Sequence, residues 1–163
     1  MLYLEEIDTV NNFDENNLTD EEVQHLLHVL KHPSHLLDLK KLTNALISLT
    51  SDEIDETKSI IDEIDGIEYW LHFYCGDPLL LKPKYSIHLR FKKSNIHLIR
   101  VDIGSAHRNP GQKRSREPHM HIYTNRFKKH DTIAQPIPIN DFPNIKSMVA
   151  CLESFLQYTN THS

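Results

Sequence analysis

The sequence predicts an α+β fold in which an acidic, helical N-terminal lobe precedes an antiparallel β-sheet covered by a C-terminal helix. Three observations carry that expectation. Apolar residues recur at helical spacing through the first third of the chain, they alternate with polar residues from Ile67 to about residue 138, and they return to helical spacing after Asp141. The break at Asp65-Gly66 sets the expected boundary, with a helical lobe over 1–65 and the sheet with its closing helix over 66–163.

Each element follows from local signals. Thr19-Asp20-Glu21-Glu22 is a capping box, and Val23, Leu26, Leu27 and Leu30 follow it at helical spacing, so a helix is expected over 20–31. His32-Pro33 stops that helix; a second, over 35–49, carries Leu36, Leu39, Leu42, Leu46 and Leu49. A third and strongly acidic helix is expected over 52–64, with Ile54, Ile61 and Ile64 as its stripe. His25, His28, His32 and His35 lie in or beside these helices and read as exposed side chains. Strands are expected over 67–75, 84–92, 95–103, 118–124 and, shorter, 133–139. Lys92-Lys93-Ser94-Asn95 has hairpin length, which makes the second and third strands antiparallel neighbours. In the strand around residue 88, Tyr85, Ile87, Leu89 and Phe91 take the core face, and Ser86, His88, Arg90 and Lys92 take the wet one. Asp141 is expected to cap the last helix, with Pro143 in its first turn and Ile145, Met148, Val149, Leu152, Phe155 and Leu156 as its apolar stripe.

Composition narrows the function classes. A chain of 163 residues, 39% of them apolar, has room for one sizeable core. Its apolar stretches are short and interrupted by charge, so no membrane span is expected. The acidic start, MLYLEEIDTVNNFDE, lacks the basic character of a secretory leader and points to a cytoplasmic location. Cys75 and Cys151 stand alone and read as buried thiols. The net charge of −5 conceals two ends: residues 1–65 hold 16 acidic against 4 basic side chains, whereas residues 82–130 hold 13 basic against 2 acidic. The basic segment suits a polyanion such as RNA or DNA, and the acidic half suits a basic partner protein.

The site candidates lie in that basic segment. In EPHMHIY (117–123), Met120 and Ile122 take the core side, which sends His119, His121 and Tyr123 to the opposite face. The neighbouring strands can add His88, Arg90, Arg100 and Asp102 to it. The long intervening loop, GSAHRNPGQKRSRE, supplies His107, Arg108, Lys113, Arg114 and Arg116, and a loop of that length can fold over the polar face or around a ligand. Three chemistries use such a constellation. One is metal-free RNA cleavage, with one imidazole as base, another as acid, and cations stabilising charge on phosphorus. His119, His121 and His107 are the acid/base candidates, Asp102 orients an imidazole, and Tyr123, Arg90, Arg100, Arg108, Lys113, Arg114 and Arg116 surround the phosphate. The second is a metal site formed by His119-x-His121 with His107 and Asp102. The cationic loop weighs against it, so neither a metal nor another cofactor is expected. The third is binding of phosphate and bases without reaction.

The stretch LIRVDIGSAHRNPGQKRSREPHMHIY (98–123) resembles a family of small proteins from phages and bacterial mobile elements. Its pattern is D-x(4)-H-x-N-P, then H-x-H-x-Y, matched here by Asp102, His107, Asn109, Pro110, His119, His121 and Tyr123, with Arg100 before them. The stretch also bears a fainter similarity to TumE-type toxins. The resemblance covers about 66–160 and implies mobile-element biology in a bacterial host. By analogy with anti-CRISPR proteins that shorten guide RNA, it implies either guide RNA with a CRISPR effector as partner, or cellular RNA with an antitoxin as partner. A non-enzymatic blocker of a nucleic-acid-handling effector such as Cas9 is the competing expectation. Pairing of two chains is compatible with each.

Overall fold

The computed structural model describes residues 13–48 and 50–163. Leu49 of the expected second helix and residues 1–12 of the acidic start lie outside them. In chain order the elements are α1 (Asp20–His28), β1 (His32–Pro33), α2 (Asp38–Ile47), β2 (Ile54–Asp62), β3 (Ile67–Cys75), β4 (Tyr85–Phe91), β5 (His97–Ile103), β6 (His119–Ile122), β7 (Ala134–Pro136) and α3 (Met148–Tyr158). The seven strands form one antiparallel meander in the order β1 to β7, each paired with its sequence neighbour. The α+β class is as the patterning predicts.

One face of this sheet is apolar and the other is not, because alternation continues in register from strand to strand. Tyr69, Leu71 and Phe73 of β3 stand opposite Phe91, Leu89 and Ile87 of β4, and Ile87 in turn stands opposite Val101 of β5 and, beyond it, Met120 of β6. All are buried and belong to one core with Val23, Leu26 and Leu27 of α1, Leu39, Leu42 and Leu46 of α2, and Cys151, Leu152 and Phe155 of α3. Burying each such side chain contributes about 1.5–3 kcal/mol. The helices contact β2, β4 and β5, which leaves the opposite sheet face for polar side chains. Both cysteines are free thiols in the core.

The capping box is present: Thr19 Oγ1 accepts from the Glu22 amide at 3.1 Å and Glu22 Oε1 from the Thr19 amide at 3.0 Å. The helix ends at His28 rather than at residue 31, since Lys31 turns inward. Its ammonium is fully buried and donates to the carbonyls of Leu27, Val29 and Thr159 at 3.1, 3.0 and 2.9 Å, closing the ends of α1 and α3 together. The closing helix begins at Met148, capped by Ser147 through the Ala150 amide, instead of at Asp141. Residues 141–147 are held as turns, with the Phe142 amide on the Pro138 carbonyl and the Tyr85 hydroxyl on the Ile145 carbonyl.

The acidic stretch 52–64 is the main correction. It is not a helix but mostly the strand β2, paired with β3 over its whole length from Ile54↔Cys75 to Asp62↔Ile67. Ile54, Ile60 and Asp62 are buried on the core side, and Ile64, which the helical reading used, is 65% exposed in the turn. That turn is fixed by Asp62, whose carboxylate accepts the amides of Ile64 and Asp65 while its carbonyl accepts from Gly66. Gly66 has φ 73°, which favours glycine. β-branched Ile54, Thr57, Ile60 and Ile61 suit the pleat, and pairing with β3 outweighs the unfavourable Asp and Glu. The sheet therefore crosses the expected 65/66 boundary, and helices and strands share one core.

Candidate functional site

The polar face carries the site. Cross-strand register places His121 opposite Arg100 and His119 opposite Asp102, while Arg100 also stands opposite His88, and His88 opposite His72. A row of basic and imidazole side chains thus crosses four strands on the face away from the core. His119, His121, Arg100, Asp102, His88 and Arg90 share this face as expected, but His88, Asp102, His119 and His121 are buried on it rather than wet.

His107 reaches the same place from the loop after β5. The loop closes on itself through reciprocal backbone bonds of 2.8 Å between His107 and Ser115, and turns at Gly111, where φ is 76°. Asn109 then ties it to β7: its amide nitrogen donates to the Ala134 carbonyl and its oxygen accepts the Ala134 amide, both at 2.8 Å. The His107 ring comes to lie 4.7 Å from that of His121 and 5.5 Å from that of His119. One nitrogen from each of the three histidines lies within 4.8 Å of the others.

Hydrogen bonds fix two of the three imidazoles. His119 Nδ1 lies 2.8 Å from the Glu117 carbonyl, which can only accept, so the proton sits on Nδ1. Its Nε2 faces Asp102 Oδ2 at 3.3 Å. His107 Nε2 lies 2.9 Å from Asn109 Oδ1, whose acceptor role is set by the Ala134 amide, so His107 carries its proton on Nε2 and leaves Nδ1 basic. His121 is different. It is 1% exposed, and neither ring nitrogen has a hydrogen-bond partner among the described residues.

Asp102 joins the cluster to the cations. Oδ2 accepts from Arg100 Nε at 2.9 Å and lies 3.4 Å from His121 Nε2, close enough for electrostatic contact without an aligned hydrogen bond. Burial alone would raise its pKa, but His121 and the charge and hydrogen bond of Arg100 outweigh burial and hold the carboxyl below its usual range. Arg100 also donates to Asp131 at 2.8 Å, and Asp131 contacts His97 Nδ1 at 3.2 Å. The hydrogen bond to His97 is the main cause that keeps the Asp131 carboxyl ionised well below the usual range, with Arg100 adding to it against burial.

A second imidazole row stands beside the first. His88 lies 4.8 Å from His72 and 4.3 Å from His97 between ring centroids, and its Nε2 accepts from Arg90 Nη1 at 2.7 Å. Burial, then the neighbouring His97, His72 and Arg90, push the His88 pKa down to about 2 from an ordinary 6.5. Between those values the unfolded chain binds a proton that the native protein does not, so stability falls as pH drops, by up to about 1.4 kcal/mol per pH unit. Asp62, raised to about 6 chiefly by burial, acts in the opposite sense between 3.8 and 6. Urea unfolding of wild type and His88→Gln across pH 7 to 4 separates the two. The variant is expected to lose less stability on acidification, and parallel curves would refute the assignment.

The remaining predicted residues divide into two groups. Arg108, Lys113, Arg114 and Arg116 are exposed on the loop, and none pairs with a carboxylate among the described residues. Arg90 and Arg100 are engaged inside the protein, Arg90 with His88 and Asn95 and Arg100 with two aspartates. Tyr123 leaves the expected constellation: it is 2% exposed, follows the end of β6, donates to the Glu15 carbonyl at 2.8 Å and accepts the Leu18 amide at 3.2 Å. It clamps the segment before α1 onto the sheet, with His130 stacked on its ring at 4.3 Å. A cleft of about 590 Å³ opens beside the cluster, bordered by His107, Asn109, Lys113, His119 and Gln135 on one side and Phe142 and Ile145 on another. His121 does not line it.

Sequence reasoning had matched Asn109 to a motif without giving it a role, and had missed Asp131 altogether. The readable signal for Asp131 is that it is the sole carboxylate between Pro118 and Asn140, in a run rich in Lys, Arg and His. No curated protein and no solved structure matches the chain. The chain belongs to a family of unknown function (DUF6978), whose pattern matches residues 18–161.

Proposed function

We propose that the protein binds RNA through its exposed cationic loop and cleaves it at the His107/His119 edge of the imidazole cluster. The observation that carries this reading is the convergence of three imidazoles and Asp102 next to an open cleft that Lys113 also borders, on the loop whose Arg108, Arg114 and Arg116 are exposed. The loop cations attract the phosphate backbone and orient the strand. The cluster supplies the base that takes the proton from a ribose 2′-hydroxyl. The 2′-oxygen then attacks phosphorus, the bond from phosphorus to the 5′-oxygen breaks, and that oxygen takes up a proton. The products are a 2′,3′-cyclic phosphate and a 5′-hydroxyl. His121 is too deeply buried to touch a phosphodiester, so His107 and His119, not His119 and His121, face the substrate.

The resemblance in the 98–123 stretch supplies the biological reading: a mobile-element protein acting in the bacterial cytoplasm on guide RNA held by a CRISPR effector, or on cellular RNA under the control of an antitoxin. Expression without any CRISPR system separates the two, since only the second arrests growth.

The test is end-labelled RNA, free and effector-bound, incubated with wild type, His119→Ala and a Lys113→Glu/Arg114→Glu/Arg116→Glu variant. Cleavage is expected to fall about 10²-fold or more in His119→Ala. The charge-reversed protein is expected to lose binding to all sequences and to show a shallower salt dependence. RNA bound but never cut by wild type, with His119→Ala binding equally well, would make the protein a non-enzymatic blocker.

A further inference from the structure

We infer that His107, His119 and His121 hold a divalent transition-metal cation of the zinc class, with Asp102 as the adjoining carboxylate. This rests on and deepens the RNA-cleavage reading, in that the base becomes a hydroxide on the cation.

The buried imidazole of His121 is the first argument. A polar group this deep normally finds a partner, and one left unpaired costs about 1–3 kcal/mol. Yet both its nitrogens lack one among the described residues, and it sits against two other imidazoles. The tautomers are the second. Glu117 holds the proton of His119 on Nδ1 and Asn109 that of His107 on Nε2, so each ring keeps a lone pair on its other nitrogen. An outer partner on the far nitrogen is how proteins orient metal-binding histidines. The third is that Asp102 Oδ2 lies 3.3 Å from His119 Nε2 and 3.4 Å from His121 Nε2, so a carboxylate adjoins two of the three imidazoles.

Geometry and charge agree with that occupant. Zinc to imidazole bonds of about 2.0–2.1 Å place tetrahedral nitrogens roughly 3.3 Å apart. The present spacing of up to 4.8 Å is wider, so binding draws the three nitrogens together. Imidazole donors suit zinc, copper, iron and nickel, whereas magnesium and calcium want oxygen. The cationic loop, which weighs against a metal in the sequence, is not an obstacle in the fold. Its long side chains are exposed, and the nearest internal cation, Arg100, is balanced by Asp102 and Asp131. Three protein ligands, two of which (His107 and His119) border the cleft, leave a position for water, the arrangement that lowers the pKa of bound water to about 7.

The experiment measures cation binding without RNA. Full-length protein is stripped with chelator, titrated with Zn²⁺ by calorimetry and with Co²⁺ by visible absorption. The same titrations are made on His107→Ala, Asn109→Ala and, as a control at the second imidazole row, His72→Ala. His107 is in a loop outside the core, so its removal tests the site without the folding risk of His121→Ala; circular dichroism verifies each fold. One equivalent per chain is expected, with the intense absorption of tetrahedral Co²⁺, lost in His107→Ala, weakened about 10–100-fold in Asn109→Ala and unchanged in His72→Ala. No stoichiometric binding, or binding equal in wild type and His107→Ala, would overturn the site in favour of adventitious surface histidines. Zinc bound without RNA cleavage would sink the nuclease reading and keep the cation; cleavage by chelator-stripped protein would overturn the hydroxide as base and return that role to an imidazole.

Discussion

Replacing Asp102 with asparagine is expected to lower RNA cleavage about 10²-fold or more and to destabilise the protein by about 3 kcal/mol. The carboxylate is 8% exposed and, among the described residues, is the one negative group that Arg100, His119 and His121 all approach, at 2.9, 3.3 and 3.4 Å. Removing the charge while keeping the shape leaves Arg100 to Asp131 alone, and removes the electrostatic centre around which the two imidazoles are packed. Breaking one side of a buried ion pair typically costs about 3–5 kcal/mol, and asparagine retains part of the hydrogen bonding, hence the lower figure. Asp131→Asn is the control. It pairs with Arg100, His97 and Lys129 but with none of the three clustered imidazoles, so it is expected to lose stability and keep cleavage. Urea midpoints with single-turnover cleavage on both variants check the pair of expectations. Equal loss of cleavage in both would mean that the aspartates act only by holding Arg100.

Lys31→Met is expected to destabilise the fold by about 2–4 kcal/mol. The substitution preserves apolar volume but removes the donor from three buried carbonyls at the ends of α1 and α3, and unpaired buried acceptors cost about 1–3 kcal/mol each before relaxation. The charged form is itself disfavoured here: burial lowers the Lys31 pKa from 10.5 to about 8, against the opposing attraction of Asp62 and Asp65. Between pH 8 and 10.5 the unfolded chain therefore binds a proton that the native protein has released. Stability rises with pH across that window, by up to about 1.4 kcal/mol per unit. Unfolding curves at pH 7.5 and 9.5 measure it: the difference present in wild type is expected to shrink in Lys31→Met. An unchanged difference would show that other groups titrate there.

What was readable from sequence depended on whether the cause was local. Alternation in 67–75, 84–92 and 95–103 is a property of consecutive residues: each stretch is mostly strand, and in the one around residue 88 Tyr85, Ile87, Leu89 and Phe91 face inward as expected. The Lys92–Asn95 hairpin was readable for the same reason, with Asn95 at φ 66° in the turn. The stretch 52–64 was misread because its isoleucines fit a helix as well as a strand. Only the register with β3, from another part of the chain, decides between them. Tyr123 continues the alternation of His119 and His121 on paper, but β6 ends at Ile122 and the tyrosine is captured by backbone groups of residues 15 and 18.

The sequence alone therefore determined the class, the strands after residue 66, the polar face that carries His119 and His121, and the basic charge around them. Tertiary structure decided which histidines meet. His107 joins the pair because Asn109 grips β7, a contact 25 residues away, and Asp131 meets Arg100 across 31 residues. It also decided which ring reaches solvent and which is sealed, since burial depends on loops and strands that pack from other parts of the chain. Period and propensity act between near neighbours, whereas a site of this kind is made by chain segments that are distant until the sheet brings them together.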